Sequence, residues 1–224
     1  MKELVVPGRG ERMFALGNSG TGKSVLTRAL FRAVRNGIAI DTKHDESWNG
    51  VAEVIEGDRI FSVGKGAYVW KTPESFLFDE EERNRFFKWA LEAGNRTIYI
   101  DEFGDVCENA QSFPRYLKLC VMRGRSRGVG IWGTTQEPMR VPPWLFGQAQ
   151  HRYCFALGHP TQKKLADEFF EAKLPWESMP EPSPYTKAND TAYRFVYKGP
   201  GTGLIGPMKM ELAGGLLANT SRTA

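Results

Sequence analysis

The stretch Gly17-Asn18-Ser19-Gly20-Thr21-Gly22-Lys23-Ser24 fits the pattern G-x-x-x-x-G-K-[ST] without a mismatch. Its glycines let backbone N–H groups wrap a polyphosphate free of Cβ clashes. The pattern carries weight only between a strand and a helix, and both flanks supply that context. Ahead of it, Met13-Phe14-Ala15-Leu16 reads as a short buried strand. Behind it, Val25, Leu26, Ala29, Leu30, Ala33 and Val34 recur at helical spacing until Asn36-Gly37 stops the run. The helix N-terminus adds partial positive charge beneath the loop. Residues 17–25, ending at Val25, are therefore the expected nucleotide-binding segment. Lys23 would reach the β and γ phosphates, and the Ser24 hydroxyl would ligate Mg²⁺.

A second anchor is Thr97-Ile98-Tyr99-Ile100-Asp101-Glu102, an apolar run closing on two acids. After a phosphate loop, this is the form of the strand that carries a metal-coordinating aspartate. Asp101 would hold Mg²⁺, mostly through water, and Glu102 would polarise an attacking water as general base. The next strand, residues 129–133, leads through Thr134-Thr135 to Gln136, placed to bond both γ phosphate and water. Before it stands Arg123-Gly124-Arg125-Ser126-Arg127, a basic turn that is either solvated or functional. Ile38-Ala39-Ile40 forms a further buried strand ending at Asp41. Ligands gather at such strand ends, so Asp41-Thr42-Lys43 faces the nucleotide or a subunit interface, or is simply a polar loop.

The remaining chain fits one large domain. With 224 residues it can bury about 70% of its unfolded surface. Hydrophobic content of 41% and charged content of 25% are ordinary for a globular protein. No apolar run spans a bilayer and the N-terminus lacks a signal-peptide core, so membrane insertion is not expected. Cys107, Cys120 and Cys154 are widely spaced and read as buried free thiols. The net charge of +4 permits nucleic-acid binding without arguing for it. Residues 1–12 read as an N-terminal arm, 13–174 as the core, 175–190 as a proline-rich connector, 191–212 as a closing strand pair and 213–224 as a loose tail. Within the core, residues 51–55 read as a helical turn. Residues 59–63 and 68–70 read as strands around a hairpin-like Gly64-Lys65-Gly66. A helix starts at Asp79, whose neighbouring acids suit a helix N-terminus better than a metal. Further helices are expected at 113–122 and 160–172, a loop from Pro142, and a strand at 151–157.

Taken together, GNSGTGKS, IDTKHD, TIYIDE and RGRSRGVGIWGTTQEP resemble the FtsK–HerA superfamily of DNA-pumping ATPases across most of residues 12–157. GPGTGLIGPMKM is more weakly similar to the glycine-rich closing strands of FtsK motors. The resemblance implies a RecA-like P-loop NTPase core: a mostly parallel sheet with helices on both faces, plus a C-terminal β-hairpin. It implies Lys23 and Ser24 on the phosphates and metal, Asp101 on Mg²⁺, Glu102 as base and Gln136 as γ-phosphate sensor. Arg125, with Arg123 as runner-up, would be an arginine finger acting in trans. ATP is the implied nucleotide, and the implied assembly is a homo-hexamer around double-stranded DNA. The phosphate loop begins too early for the β-barrel of HerA-type enzymes or the membrane region of cellular FtsK. Compact members resemble the genome-packaging ATPases of membrane-containing viruses, which implies a capsid portal or vertex partner and a place in the host cytoplasm or virion.

Other readings stay open at this point: a plasmid-transfer or chromosome-handling motor, a small-molecule kinase, and an ATP-switched assembly factor. Asp101-Glu102-Phe103-Gly104 and Thr42-Lys43-His44-Asp45 also match two GTPase motifs, but in the wrong chain order. Lys65, or the segment 103–111, is the place where a channel loop is sought; neither identifies a DNA contact.

Overall fold

Buried parallel strands demand apolar side chains on both faces, and the sequence provides them around the glycine loop. The computed structural model describes residues 6–179, 193–213 and 216–220. In chain order it contains β1 (Met13–Leu16), α1 (Lys23–Phe31), β2 (Gly37–Asp41), β3 (Glu53–Glu56), β4 (Ala67–Lys71), α2 (Ser75–Phe78), α3 (Glu80–Ala93), β5 (Thr97–Ile100), α4 (Arg115–Arg123), β6 (Gly130–Thr135), α5 (Pro143–Gly147), β7 (His151–Phe155), α6 (Pro160–Phe170), β8 (Arg194–Lys198), β9 (Ile205–Ala213) and β10 (Leu216–Thr220). All ten strands join one sheet in the order β10-β9-β8-β7-β1-β6-β5-β2-β4-β3. From β3 to β7 every pairing is parallel, and β8, β9 and β10 add antiparallel strands.

The two-residue period of a strand sorts side chains to opposite faces. Phe14, Leu16, Ile38, Ile40, Ile98, Ile100 and Ile131 pack with α3 and α4 through Phe86, Phe87, Leu117 and Val121. Met13, Ala15, Ala39, Tyr99 and Trp132 point the other way, onto Leu26, Leu30 and Phe31 of α1. Each buried large apolar side chain contributes roughly 1.5–3 kcal/mol. Helices thus cover both faces of a mostly parallel sheet, as a RecA-like core requires. The parallel connections bring the ends of β1, β2, β5, β6 and β7 to one edge.

Three local expectations are corrected. Residues 53–56 form a strand, not a helical turn: Val51 and Ile55, four apart, mimic a helical stripe, yet β3 is an edge strand with only Ile55 buried. Residues 57–62 form a 3-10 helix, not a strand, anchored by buried Ile60. Gly64-Lys65-Gly66 therefore closes no hairpin and instead leads into β4, which runs parallel to β2 and β3. The loop from Pro142 contains α5, opened by Pro143 in the first turn. Asp79 caps α3 through the Glu81 N–H at 2.8 Å.

At the C-terminus β8 and β9 pair as expected, and β10 adds a strand where a loose tail is expected. Most of the connector, 180–190, and the ends 1–5 and 221–224 lie outside the described residues. Cys107, Cys120 and Cys154 are all free and buried. Among the described residues no helix is long and apolar enough to cross a membrane.

Candidate active site

The glycine loop leaves the end of β1 and is strapped to its neighbours. Gly17 N–H donates to the Thr135 carbonyl of β6 at 3.3 Å, and Asn18 N–H to the Ala156 carbonyl beyond β7 at 2.8 Å. At Gly17 a Cβ would lie 2.6 Å from the Phe155 Cβ and 2.9 Å from Thr21 Oγ1, so only glycine fits. Gly22, at φ 101°, turns the chain into α1, whose first N–H groups receive no side-chain cap. Those donors and the helix dipole face the loop and suit an anion. Lys23 is only 5% exposed, and its Nζ donates to the Asn18 carbonyl at 2.8 Å. Burial lowers its pKa to about 8, opposed by the negative charges of Glu102 and Asp101.

β5 delivers the acids to the same edge. Asp101 is 7% exposed, and its Oδ1 accepts the Tyr99 hydroxyl at 2.6 Å. That hydroxyl is also 2.9 Å from Thr27 Oγ1 of α1, tying the acid to the phosphate-loop helix. The Asp101 carbonyl accepts from the Thr134 hydroxyl of β6. Glu102 is gripped at both oxygens: Oε1 by the Gly104 N–H at 3.3 Å, Oε2 by the Gln136 N–H at 3.2 Å. Burial raises the Glu102 pKa, and the Thr135 and Gly104 hydrogen bonds oppose that rise. A raised carboxylate pKa favours proton acceptance in a reaction. Gln136 orients Glu102 through its backbone, while its carbonyl accepts from Gln162 Nε2 at 3.4 Å.

Asp41 completes the edge. β2 pairs with β5 in a register that sets Ile40 opposite Ile100, so Asp41 and Asp101 follow side by side. Asp41 is 0% exposed; Oδ1 accepts from the Lys43 and Asp45 N–H groups at 3.2 Å each, and Oδ2 has no partner. Burial raises its pKa, and the charge of Asp101 adds to that. Two adjoining buried carboxylates with an orphaned oxygen suit a hard cation. Among the described residues no cluster of three His, Cys, Asp or Glu side chains forms a complete metal cage. Such a set matches Mg²⁺, which takes one or two carboxylates and completes its shell with water and phosphate oxygens.

The basic turn lies elsewhere. Arg125 is exposed in the 3-10 turn Gly124–Arg127, at the entry to β6, and Arg123 ends α4 just before it. Gln136 follows the exit of that six-residue strand, about 20 Å away along the strand direction at 3.3 Å per residue. The structure therefore gathers Lys23, Ser24, Asp101, Glu102 and Gln136 at one edge and holds both arginines at the other. Tyr99 and Thr134, which fix Asp101, escape a motif search. The signal for Tyr99 is the i, i+2 relation that puts it on the face of Asp101.

Fold and edge chemistry define a P-loop NTPase core: a mostly parallel sheet with a glycine loop between β1 and α1 and acids at the strand exits. Comparison with solved structures places particular proteins beside it. The genome packaging NTPase B204 of Sulfolobus turreted icosahedral virus 2, solved with sulfate, matches with TM-score 0.67 and 16% identity, covering 89% of this chain and 96% of that one. The pCW3 conjugation coupling protein TcpA matches with TM-score 0.58 and 12% identity, over 88% of this chain and 59% of that one. The type VII secretion ATPase EccC of Thermomonospora curvata matches with TM-score 0.55 and 17% identity, over 88% of this chain but 25% of that one. No protein-family model and no curated relative matches the sequence.

Proposed function

We propose that the chain hydrolyses ATP and uses the cycle to move double-stranded DNA into a capsid as a homo-oligomeric ring. The observation that carries the hydrolytic part is Glu102, a half-buried carboxylate held between two backbone N–H groups beside Lys23 and Asp101. In this reading Lys23 exchanges its Asn18 carbonyl for the β and γ phosphates. The α1 N-terminus and residues 17–25 cradle the chain of phosphates. Mg²⁺, when held by Ser24 and Asp101, offsets phosphate charge. A water oxygen bonds to the γ phosphorus as the bond to the β–γ bridging oxygen breaks, giving ADP and phosphate; Glu102 takes the water proton. Gln136 supports both the γ phosphate and Glu102.

Similarity to B204, a genome packaging NTPase, over nearly its whole length supports capsid packaging as the task. A capsid vertex or portal protein is the corresponding partner. The test is phosphate release from ATP with and without long duplex DNA across a salt series. Stimulation by DNA that fades with salt is expected, because phosphate contacts release counterions. ATP turnover indifferent to DNA at every salt concentration would remove the translocase reading and leave an ATPase of another kind.

A further inference from the structure

The edge of the sheet opposite the phosphate loop holds a cleft of about 510 Å³ between the segment before β1, the turn after α1 and the loops entering β4 and β5. Arg9, Arg35 and Lys65 line it, with no acid among its residues. Around it the strand-entry loops expose Arg32, Arg125 and Arg127. Among the described residues none of these six cations forms an ion pair. Glu11, the acid of the loop entering β1, is already engaged by His151 Nε2 at 2.9 Å and by the Gly8 N–H.

The cleft is braced. Asn36 donates to the Asn95 carbonyl and accepts the Gly66 N–H at 3.3 Å, stapling the entry loops of β2, β5 and β4 together. Asn95 N–H reaches the Arg127 carbonyl at 2.8 Å, adding the entry loop of β6. A Cβ on Gly128 would sit 3.4 Å from Arg9 Nε, so Arg9 lies against that same loop. Reading across the sheet, Arg9 enters at β1, Arg127 at β6, Arg35 at β2 and Lys65 at β4. Five adjacent strands about 4.8 Å apart spread these cations over about 19 Å. That row is too long for one small anion, and it matches a polymer with one charge per ~1.7 Å of duplex axis.

We propose that this cleft, with Arg9, Arg35 and Lys65, binds the phosphodiester backbone of duplex DNA. The inference rests on the DNA-motor reading and gives it a contact surface remote from the hydrolytic edge. Recognition is by charge and is sequence-independent.

The test is binding of a fluorescein-labelled 30-base-pair duplex by anisotropy between 50 and 200 mM salt. The probes are the full chain, the triple variant Arg9→Gln/Arg35→Gln/Lys65→Gln, and a control triple Lys88→Gln/Lys164→Gln/Lys173→Gln on other surfaces. The cleft variant is expected to lose at least tenfold in affinity at 50 mM, with a log–log salt slope shallower by about 2 to 3. Its thermal midpoint and ATP turnover without DNA stay at the parent level. An unchanged slope in the cleft variant overturns the cleft while the motor reading stands. An equal change in the control assigns the effect to net charge and also overturns it. No duplex binding by the parent chain overturns cleft and DNA reading together.

Discussion

Lys23 concentrates the conflict between stability and function in one side chain. Its ammonium is stripped of water by burial and receives one carbonyl in return, that of Asn18. The ordinary value of 10.5 falls to about 8 in the fold. Below pH 8 both folded and unfolded chains carry the proton, and the burial penalty is fully present. Between about 8 and 10.5 the unfolded chain holds more protons than the folded one, so stability rises with pH relative to a variant without the amine. Lys23→Met is therefore expected to be more stable than the parent by about 3 kcal/mol at pH 7 without nucleotide, the two converging near pH 10.5. The same variant is expected to lose the upward shift in midpoint that ATP binding would confer on the parent by mass action. Urea melts from pH 7 to 10.5, with and without ATP, check both halves. A Lys23→Met chain less stable than the parent at pH 7 would mean that the Asn18 contact outweighs burial.

At the scale of elements, β6 is built to let Phe103 approach. A Cβ on Gly133 would lie 2.0 Å from Phe103 Cε2, and the Phe103 ring sits 4.8 Å from that of Phe14. Phe103 opens the short 3-10 turn Phe103–Asp105 directly after Glu102, so its packing sets where the Glu102 carboxylate stands. Gly133→Ala is expected to cost about 1–3 kcal/mol by overpacking and to lower turnover by displacing Glu102. Adding Phe103→Ala relieves the clash, so the double variant should be more stable than the sum of single losses by over ~1 kcal/mol. Strict additivity in denaturant melts would refute this coupling. Gly133 was visible in the sequence as the last residue of the strand 129–133, but its steric reason was not, because Phe103 is thirty residues away. The phosphate loop, the acid-tipped strand and the two-faced sheet were legible because strand, loop and helix are local patterns with period 2 or 3.6. Residues 51–62 misled because Val51 and Ile55 share a helical spacing, whereas their burial is decided by β4, a non-local partner. Asp41 was visible as a strand end; its juxtaposition with Asp101 came only from the register of β2 on β5.

Across the whole molecule the sheet is polar in function: acids and phosphate loop at the exit edge, cations at the entry edge. Arg125 cannot swing to the γ-phosphate position of its own chain, since a six-residue strand separates the two edges by about 20 Å. An arginine placed there could serve catalysis only in a second copy, so the proposed head-to-tail ring is the assembly that would give it a role. Arg125→Ala is then expected to lose on the order of 10³-fold or more in turnover while retaining ATP binding, and Glu102→Gln to bind ATP without turnover. In the proposed ring each variant would lack a different half of a shared site. Mixed one to one, random co-assembly leaves about one interface in four with Glu102 on one side and Arg125 on the other, so activity should return to about a quarter of the parent value in a closed heterologous ring. The mixture must be followed across ratios by phosphate release, with cross-linking of differently labelled chains to register co-assembly. Recovery peaking at equal amounts is the signature of a finger acting between subunits. Cross-linked mixed rings that hydrolyse nothing above the two variants alone would place the function of Arg125 outside catalysis, in the same basic edge as Arg9 and Lys65.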